Sequence, residues 1–349
     1  MFRTSLRIAG FGLAVLVASA CGAIKSAAIK TVANTLSESG TTITSHDDPE
    51  LVADALPFAL LLNESLLASV PKHERLLMAT CGQYTQYAVG FIQVDAEAAQ
   101  FDEFERSKYL SNRALKLATR GRGYCWRALE LRFPGVSARL VADPATAVPQ
   151  ARKDQVPLLY WSAASLGAAV SLGGLDRPDL LINWPVIRAL AERALALDST
   201  WSRGALHELM ITVESQGDAL GGSEERARAH FARAVEIQKG LSPSPYLSLA
   251  LGIAKGKQDR AEFEKLLQQA LAIEADADPD NRLVTLIMQR RARLLLAHLD
   301  DFFMSPDAAP RVASLSVPID PAAARLAYAL LESAGSHDAL LAPGPRGRK

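Results

Sequence analysis

The sequence is poor in several things, and each shortage removes a class of function. Aromatic residues fill only 6% of the 349 positions, so the 49% apolar share is carried mainly by Ala, Leu and Val. Sandwich strands draw on aromatic and β-branched residues, and this mixture favours helices instead. An excess of either charge is missing as well. Lys and Arg number 38 against 38 Asp and Glu, with no basic run before the last few residues. Phosphate neutralisation needs a concentrated positive face, so nucleic-acid binding is excluded. With 22% charged residues beside that apolar share, the chain is globular rather than disordered or collagen-like.

Catalytic signatures are scarce too. His207-Glu208 opens like a zinc-peptidase helix, but Ile211 stands where a second imidazole would be needed. The other histidines, at positions 46, 73, 230, 298 and 337, have no ligand spacing. There is no Gly-x-Ser-x-Gly elbow and no phosphate loop, and Gly121-Arg122-Gly123 lacks the third glycine of a dinucleotide fingerprint. Asp102, Glu103 and Glu105 read as a solvated helix face. No catalytic residue, metal site or cofactor is assigned, and an enzyme is the weakest of the functional readings.

What is present begins at the N-terminus. Arg3 and Arg7 precede an apolar stretch from Ile8 to Ala20 that is too short to span a membrane and closes on small residues. This is the pattern of a signal peptide over residues 1–20. Ala18-Ser19-Ala20-Cys21-Gly22 resembles a bacterial lipobox, with Cys21 as the acylated mature N-terminus; a plain secreted protein cut near Ala20 is the other reading. Gly22 after the cysteine favours the outer membrane. Residues 21–45 read as a tether and 46–303 as a helical domain. Residues 304–349 read as a Pro-containing, partly disordered tail.

Inside the domain nearly all signals are helical. Asp48, Pro49 and Glu50 suit a helix start, as a cap, a first-turn proline and a dipole partner. Helices are expected over Leu51–Ser69, Lys72–Glu97, Phe101–Phe133 with a break at Gly121–Gly123, and Pro157–Leu172. Residues 134–149 are expected to be a loop. From Trp184 to Asp278 a pattern recurs. Ile187, Leu190, Ala191, Ala194 and Leu195 share their offsets with Phe263, Leu266, Leu267, Ala270 and Leu271, and Ala227, Phe231, Ala234 and Val235 fill four of the same five positions. Any amphipathic helix shows such offsets, but the shared register and matching helix ends point to a repeat. Ala227-x-x-x-Phe231-x-x-Ala234 is the second-helix pattern of tetratricopeptide repeats. The expected fold is all-α, with antiparallel helix pairs stacked as a tetratricopeptide-like solenoid or bundle.

Tyr84, Tyr87, Tyr124, Trp126, Tyr160 and Trp161 are bulky residues with polar tips on expected helices, a type that serves both cores and ligand clefts. The helix carrying Tyr160 and Trp161 is uncharged from Pro157 to Val170, so it is either central to the fold or lines an apolar cleft. Cys81 and Cys125 would be free to pair in an oxidising compartment. If their helices form a hairpin turning near Ala99, however, the arms differ by 8 residues. That offset is about 12 Å along the axis, past the ~7 Å that bridged Cα atoms tolerate. Two free, buried thiols are expected.

Four blocks resemble one family. They run from Ser39 to Pro57, over Asn63-Glu64-Ser65-Leu66-Leu67, from Val156 to Ala164, and from Gly204 to Met210 leading on to Glu214. Together they are similar to the T-component (TatT) proteins associated with TRAP transporters, although Leu166 stands where that pattern has an aromatic residue. The resemblance implies a periplasmic lipoprotein of tetratricopeptide-like fold that works beside a TRAP substrate-binding protein. It also implies homo-oligomers, trimers among them, and contact with the membrane through the lipid anchor only. The resulting reading is a transport accessory that docks a substrate-binding protein and takes a non-polar or amphipathic ligand. Its candidate binding residues are Tyr160, Trp161, His207, Glu208 and Glu214. A generic envelope scaffold built on the same repeats is the alternative.

Overall fold

The computed structural model describes residues 31–32, 34–35 and 40–304, and among these there is no strand. Cys21 and the signal-peptide and tail segments lie outside the described residues. After a short helix, α1 (Gly40–Thr44), the chain enters α2 (Pro49–Ser69) as its sequence dictates. The Asp48 carboxylate accepts the Leu51 N–H at 2.9 Å, and Pro49 occupies the first turn. One face of α2 buries Val52, Leu56, Leu60 and Leu67, while Leu51, Phe58 and Leu61 face outward.

The next hairpin corrects two expectations. Its first arm is α3 (Glu74–Gln86), a π-helical turn (Tyr87–Ile92) and α4 (Gln93–Ala99); its second is α5 (Phe104–Arg132). Cys81 and Cys125 are joined in a disulfide, with Cα atoms 5.4 Å apart, and are not free thiols. The pivot is the reason. The chain reverses between Ala99 and Phe104, and the midpoint of the two cysteines is residue 103, immediately before α5. Moving the pivot there from residue 99 removes the whole mismatch. Nor does α5 break at Gly121–Gly123. Gly121 is buried where α3 and α5 touch, and a Cβ there would lie 2.8 Å from the Tyr84 Cβ. The glycine allows close approach within a continuous helix.

Beyond α5, the expected loop contains a two-turn helix, α6 (Val136–Ala142). The longer helices that follow are α7 (Val156–Gly173), α8 (Trp184–Leu197), α9 (Trp201–Glu214), α10 (Glu224–Ile237), α11 (Ser244–Leu249, continued by a π turn over Ala250–Ala254), α12 (Arg260–Leu271) and α13 (Arg282–Ala297), with single α-turns at Pro178–Leu181 and Leu299–Phe302. Helix α7 is buried on most sides, with Leu159, Ala163, Leu166 and Ala169 all inaccessible. Ala194, Ala234 and Ala270, the three alanines in register, are each fully buried at a helix crossing.

The packing follows one rule along the chain. Hairpins form from α3 and α5, α7 and α8, α9 and α10, and α11 and α12. The first helix of each also packs on the first helix of the next, α3 on α7, α7 on α9, α9 on α11 and α11 on α13. These first helices thus make one continuous row, with their partners packed beside it. The last helix then returns to the beginning. α13 packs on α1 and α2, Leu283 and Ile287 join the core of Val52, Leu56 and Tyr87, and Arg291 pairs with Glu97 at 2.6 Å.

Candidate functional site

Three helices, α3, α7 and α9, meet at a cluster of aromatic rings. Tyr160 and Trp161 of α7 stand edge to face with centroids 5.0 Å apart, and Tyr160 also packs on Trp201 of α9 at 4.9 Å. The Trp161 ring lies on α3 at Gly82, where a Cβ would come within 3.0 Å of it. All three aromatic residues are part-exposed. Among the described residues, the Tyr160 hydroxyl and the two indole N–H groups have no hydrogen-bond partner. Their bodies are packed and their polar tips remain available.

Trp201 is held there by an unusual piece of backbone. Ser202, Arg203 and Gly204 have φ of 46°, 60° and 81°, a full turn in the left-handed region. Only Gly204 adopts this without strain; each of the other two costs about 1–2 kcal/mol. The surroundings hold the turn in place. Arg203 grips the Asp278 carboxylate through both terminal nitrogens, and its carbonyl accepts a bond from the Gln238 amide at 3.3 Å.

One turn further on lies Glu208, whose carboxylate accepts a second bond from the same Gln238 amide. Burial pushes this carboxyl up to about 7, against smaller opposing effects from Gln238 and the Arg203 charge. Tyr160 is pushed up as well, by burial first and then by the Glu208 charge, so it stays a neutral phenol. Near neutral pH Glu208 can therefore offer either a carboxyl donor or a carboxylate acceptor near Tyr160. The packed aromatic faces with open polar tips are suited to holding a ligand.

Of the five residues proposed from sequence, the structure packs Tyr160 on Trp161, sets Glu208 near enough for its charge to act on Tyr160, and places the other two elsewhere. His207 is buried toward α10, its Nδ1 2.8 Å from Nδ1 of His230, and its Nε2 lacks a partner. Burial first, then the His230 and Arg233 charges, lower His207 to about 4. Glu214 pairs with Arg188 and Arg226, each at 2.7 Å, tying α9 to α8 and α10. Burial pushes its carboxyl up, but the two guanidiniums outweigh this and hold it below the usual range. Among the other polar-tipped aromatics, Tyr84 and Tyr124 are committed to the scaffold. Both donate to Glu64, and the Arg120 guanidinium first, with these two hydroxyls, brings the Glu64 carboxyl down to about 2. Trp201, Arg203, Gln238 and Asp278 were not found from sequence, and only Gly204 gave a local hint. Among the described residues no group of three or more His, Cys, Asp or Glu is placed to hold a metal.

Residues 45–303 match the family described as TRAP transporter T-component. The chain belongs to that family. An uncharacterized protein of Treponema pallidum (strain Nichols) is similar, at 30% identity over 268 residues that cover 75% of this chain and 82% of that protein. The match spans every helix from α2 to α13, so the aromatic cluster and its strained turn lie inside the T-component domain. Membership gives the chain an accessory role in TRAP transport and a place in the cell envelope. The family is one of transporter components and is not a known enzyme family.

Proposed function

We propose that this T-component is a periplasm-facing lipoprotein, anchored through Cys21, that docks a TRAP substrate-binding protein. It accepts a non-polar or amphipathic ligand at Tyr160, Trp161, Trp201 and Glu208. The observation that carries this reading is three aromatic residues with unspent polar tips, gathered beside a neutral-range carboxyl by a strained turn. Strain of that kind persists where the surrounding structure over-determines it, and such places cluster at binding sites. The continuous row of first helices supports a tetratricopeptide-like superhelix, which would present a concave face to a protein partner. The division into signal peptide, tether, helical domain and tail, the outer-membrane destination and trimer formation belong to the same proposal.

The test has two arms. Dodecanoate is titrated against the protein with tryptophan fluorescence as the readout, and co-purification with the TRAP substrate-binding protein of the same organism is measured. Trp161→Ala is expected to weaken dodecanoate binding at least tenfold with the protein still folded. Binding that Trp161→Ala leaves unchanged refutes the ligand site. Failure to co-purify favours a generic envelope scaffold over the transport partner.

A further inference from the structure

A second site lies away from the aromatic cluster. Where the end of α5 meets the segment between α6 and α7, the surface opens into a cleft of about 660 Å³, within the range of small-molecule sites. Arg132, Arg139, Arg152 and Gln155 line it, with Phe133 and Pro149 as apolar wall and Asp154 as the single carboxylate.

The hydrogen-bond inventory of this cleft is lopsided. Arg139 gives its Nε–H to the Ala147 carbonyl at 3.1 Å and one Nη1–H to the Pro134 carbonyl at 3.0 Å. Arg193 of α8 donates to the carbonyls of Pro149 and Ala151 at 2.7 and 2.6 Å. Four backbone acceptors around the cleft are thereby occupied, and the segment that walls it is pinned. The donors are not occupied. Arg139 keeps its second terminal nitrogen unpartnered, and the Arg152 guanidinium has no partner among the described residues. Gln155 is only 7% exposed; its side-chain oxygen is taken by the Arg152 N–H at 2.6 Å, and its amide nitrogen has no partner. Arg132 is engaged only loosely, 3.3 Å from Glu74 and 3.6 Å from Asp154, in exposed pairs of the kind that exchange readily. Glu130, which does not line the cleft, is spent on the N–H groups of Gly135 and Ser137 and the Ser137 hydroxyl.

A cleft rich in planar donors and short of acceptors fits the oxygens of an anion, because guanidinium groups match carboxylate and phosphate in a fork geometry. We propose that this cleft binds a small organic anion through carboxylate or phosphate oxygens held by Arg132, Arg139, Arg152 and Gln155. Arg139 is the preorganised member, since two carbonyls fix its orientation. Arg132 swings from its loose pairs to close on the ligand.

The full chain is titrated calorimetrically at low ionic strength with citrate and, separately, with inorganic phosphate. Saturable binding of at least one is expected, weakening as salt is raised; the one bound more tightly tells carboxylate from phosphate. Arg139 supports the backbone, so the variant tested is Arg132→Gln with Arg152→Gln, whose side chains are exposed, checked by an unchanged melting temperature. This double variant should bind at least tenfold more weakly, whereas Asp154→Asn should bind as tightly as the parent or more so. No saturable heat from either titrant at millimolar concentration overturns the proposal, and so does a double variant within tenfold of the parent.

Discussion

Replacing Glu208 with Gln should leave the protein unchanged in acid and make it more stable in mild alkali. Gln keeps the shape and can still accept from Gln238, but it cannot ionise. The Glu208 carboxyl is raised by burial from an ordinary 4.5 to about 7. Between those values the folded chain keeps a proton that the unfolded chain has released, so stability is present in full below pH 4.5 and is lost as pH rises to 7. The displacement corresponds to about 3 kcal/mol at most. Because the side chain is part-exposed, about 1–2 kcal/mol is the expected size after solvent screening. Glu208→Gln escapes that loss. His207, the preceding residue, acts in the opposite sense: lowered to about 4, it must charge on unfolding, so its contribution is present above pH 6.5 and is lost as pH falls toward 4. The two slopes oppose each other between pH 4.5 and 6.5, which flattens the parent's profile there. In Glu208→Gln the His207 slope stands alone. Urea unfolding followed by tryptophan fluorescence at pH 5, 6, 7 and 8, with the disulfide intact, measures this. A difference between variant and parent that is the same at pH 5 and pH 8 would refute the reasoning.

Two further outcomes are expected. Cys81→Ser with Cys125→Ser should lower stability by up to about 4 kcal/mol, the chain-entropy value for a loop of 44 residues; thiol counting on the unfolded, unreduced parent should find neither of these cysteines free. Ser202→Gly should stabilise by about 1 kcal/mol, because Ser202 is exposed and glycine removes left-handed strain without losing a contact; a loss of stability on chemical denaturation would show that the turn is not strained as described.

The helical character of the chain was legible because it is written locally. Asp48-Pro49-Glu50 encodes its own cap, and the spacing of apolar residues in α8, α10 and α12 marks a buried face whatever it packs against. Family membership was legible too, in four blocks that include Asn63-Glu64 and Tyr160-Trp161. The hairpin pivot was not. Four residues' difference in where a turn falls decides whether two cysteines meet, and nothing local distinguishes Ala99 from Glu103 as the reversal point. Gly121 shows the same limit, since a glycine that breaks a helix and one that lets two helices touch look identical in sequence. The candidate site was half visible for a related reason. Tyr160, Trp161 and Glu208 carry evident chemistry, but Ser202 and Arg203 in left-handed conformation are set by Asp278 and Gln238, contacts far away in the chain. His207 and Glu208 are neighbours about 100° apart on α9, so His207 meets His230 in the middle of α10 while Glu208 meets Gln238 at its end, on the side of Tyr160.

The return of α13 onto the start of the domain changes how such a protein can evolve. An open row of repeats can gain or lose a unit at either end, because each unit answers only to its neighbours. Here the ends answer to each other. Arg291 reaches Glu97, Arg290 reaches Asp95, and Arg282 donates to the Ser45 carbonyl at the domain's entrance. A duplicated or deleted helix pair would carry α13 out of register with α2 and in one step strip Arg290 and Arg291 of their carboxylates and Arg282 of the Ser45 carbonyl. Change is thereby steered away from the number of repeats and toward substitutions on surfaces that the closure leaves open.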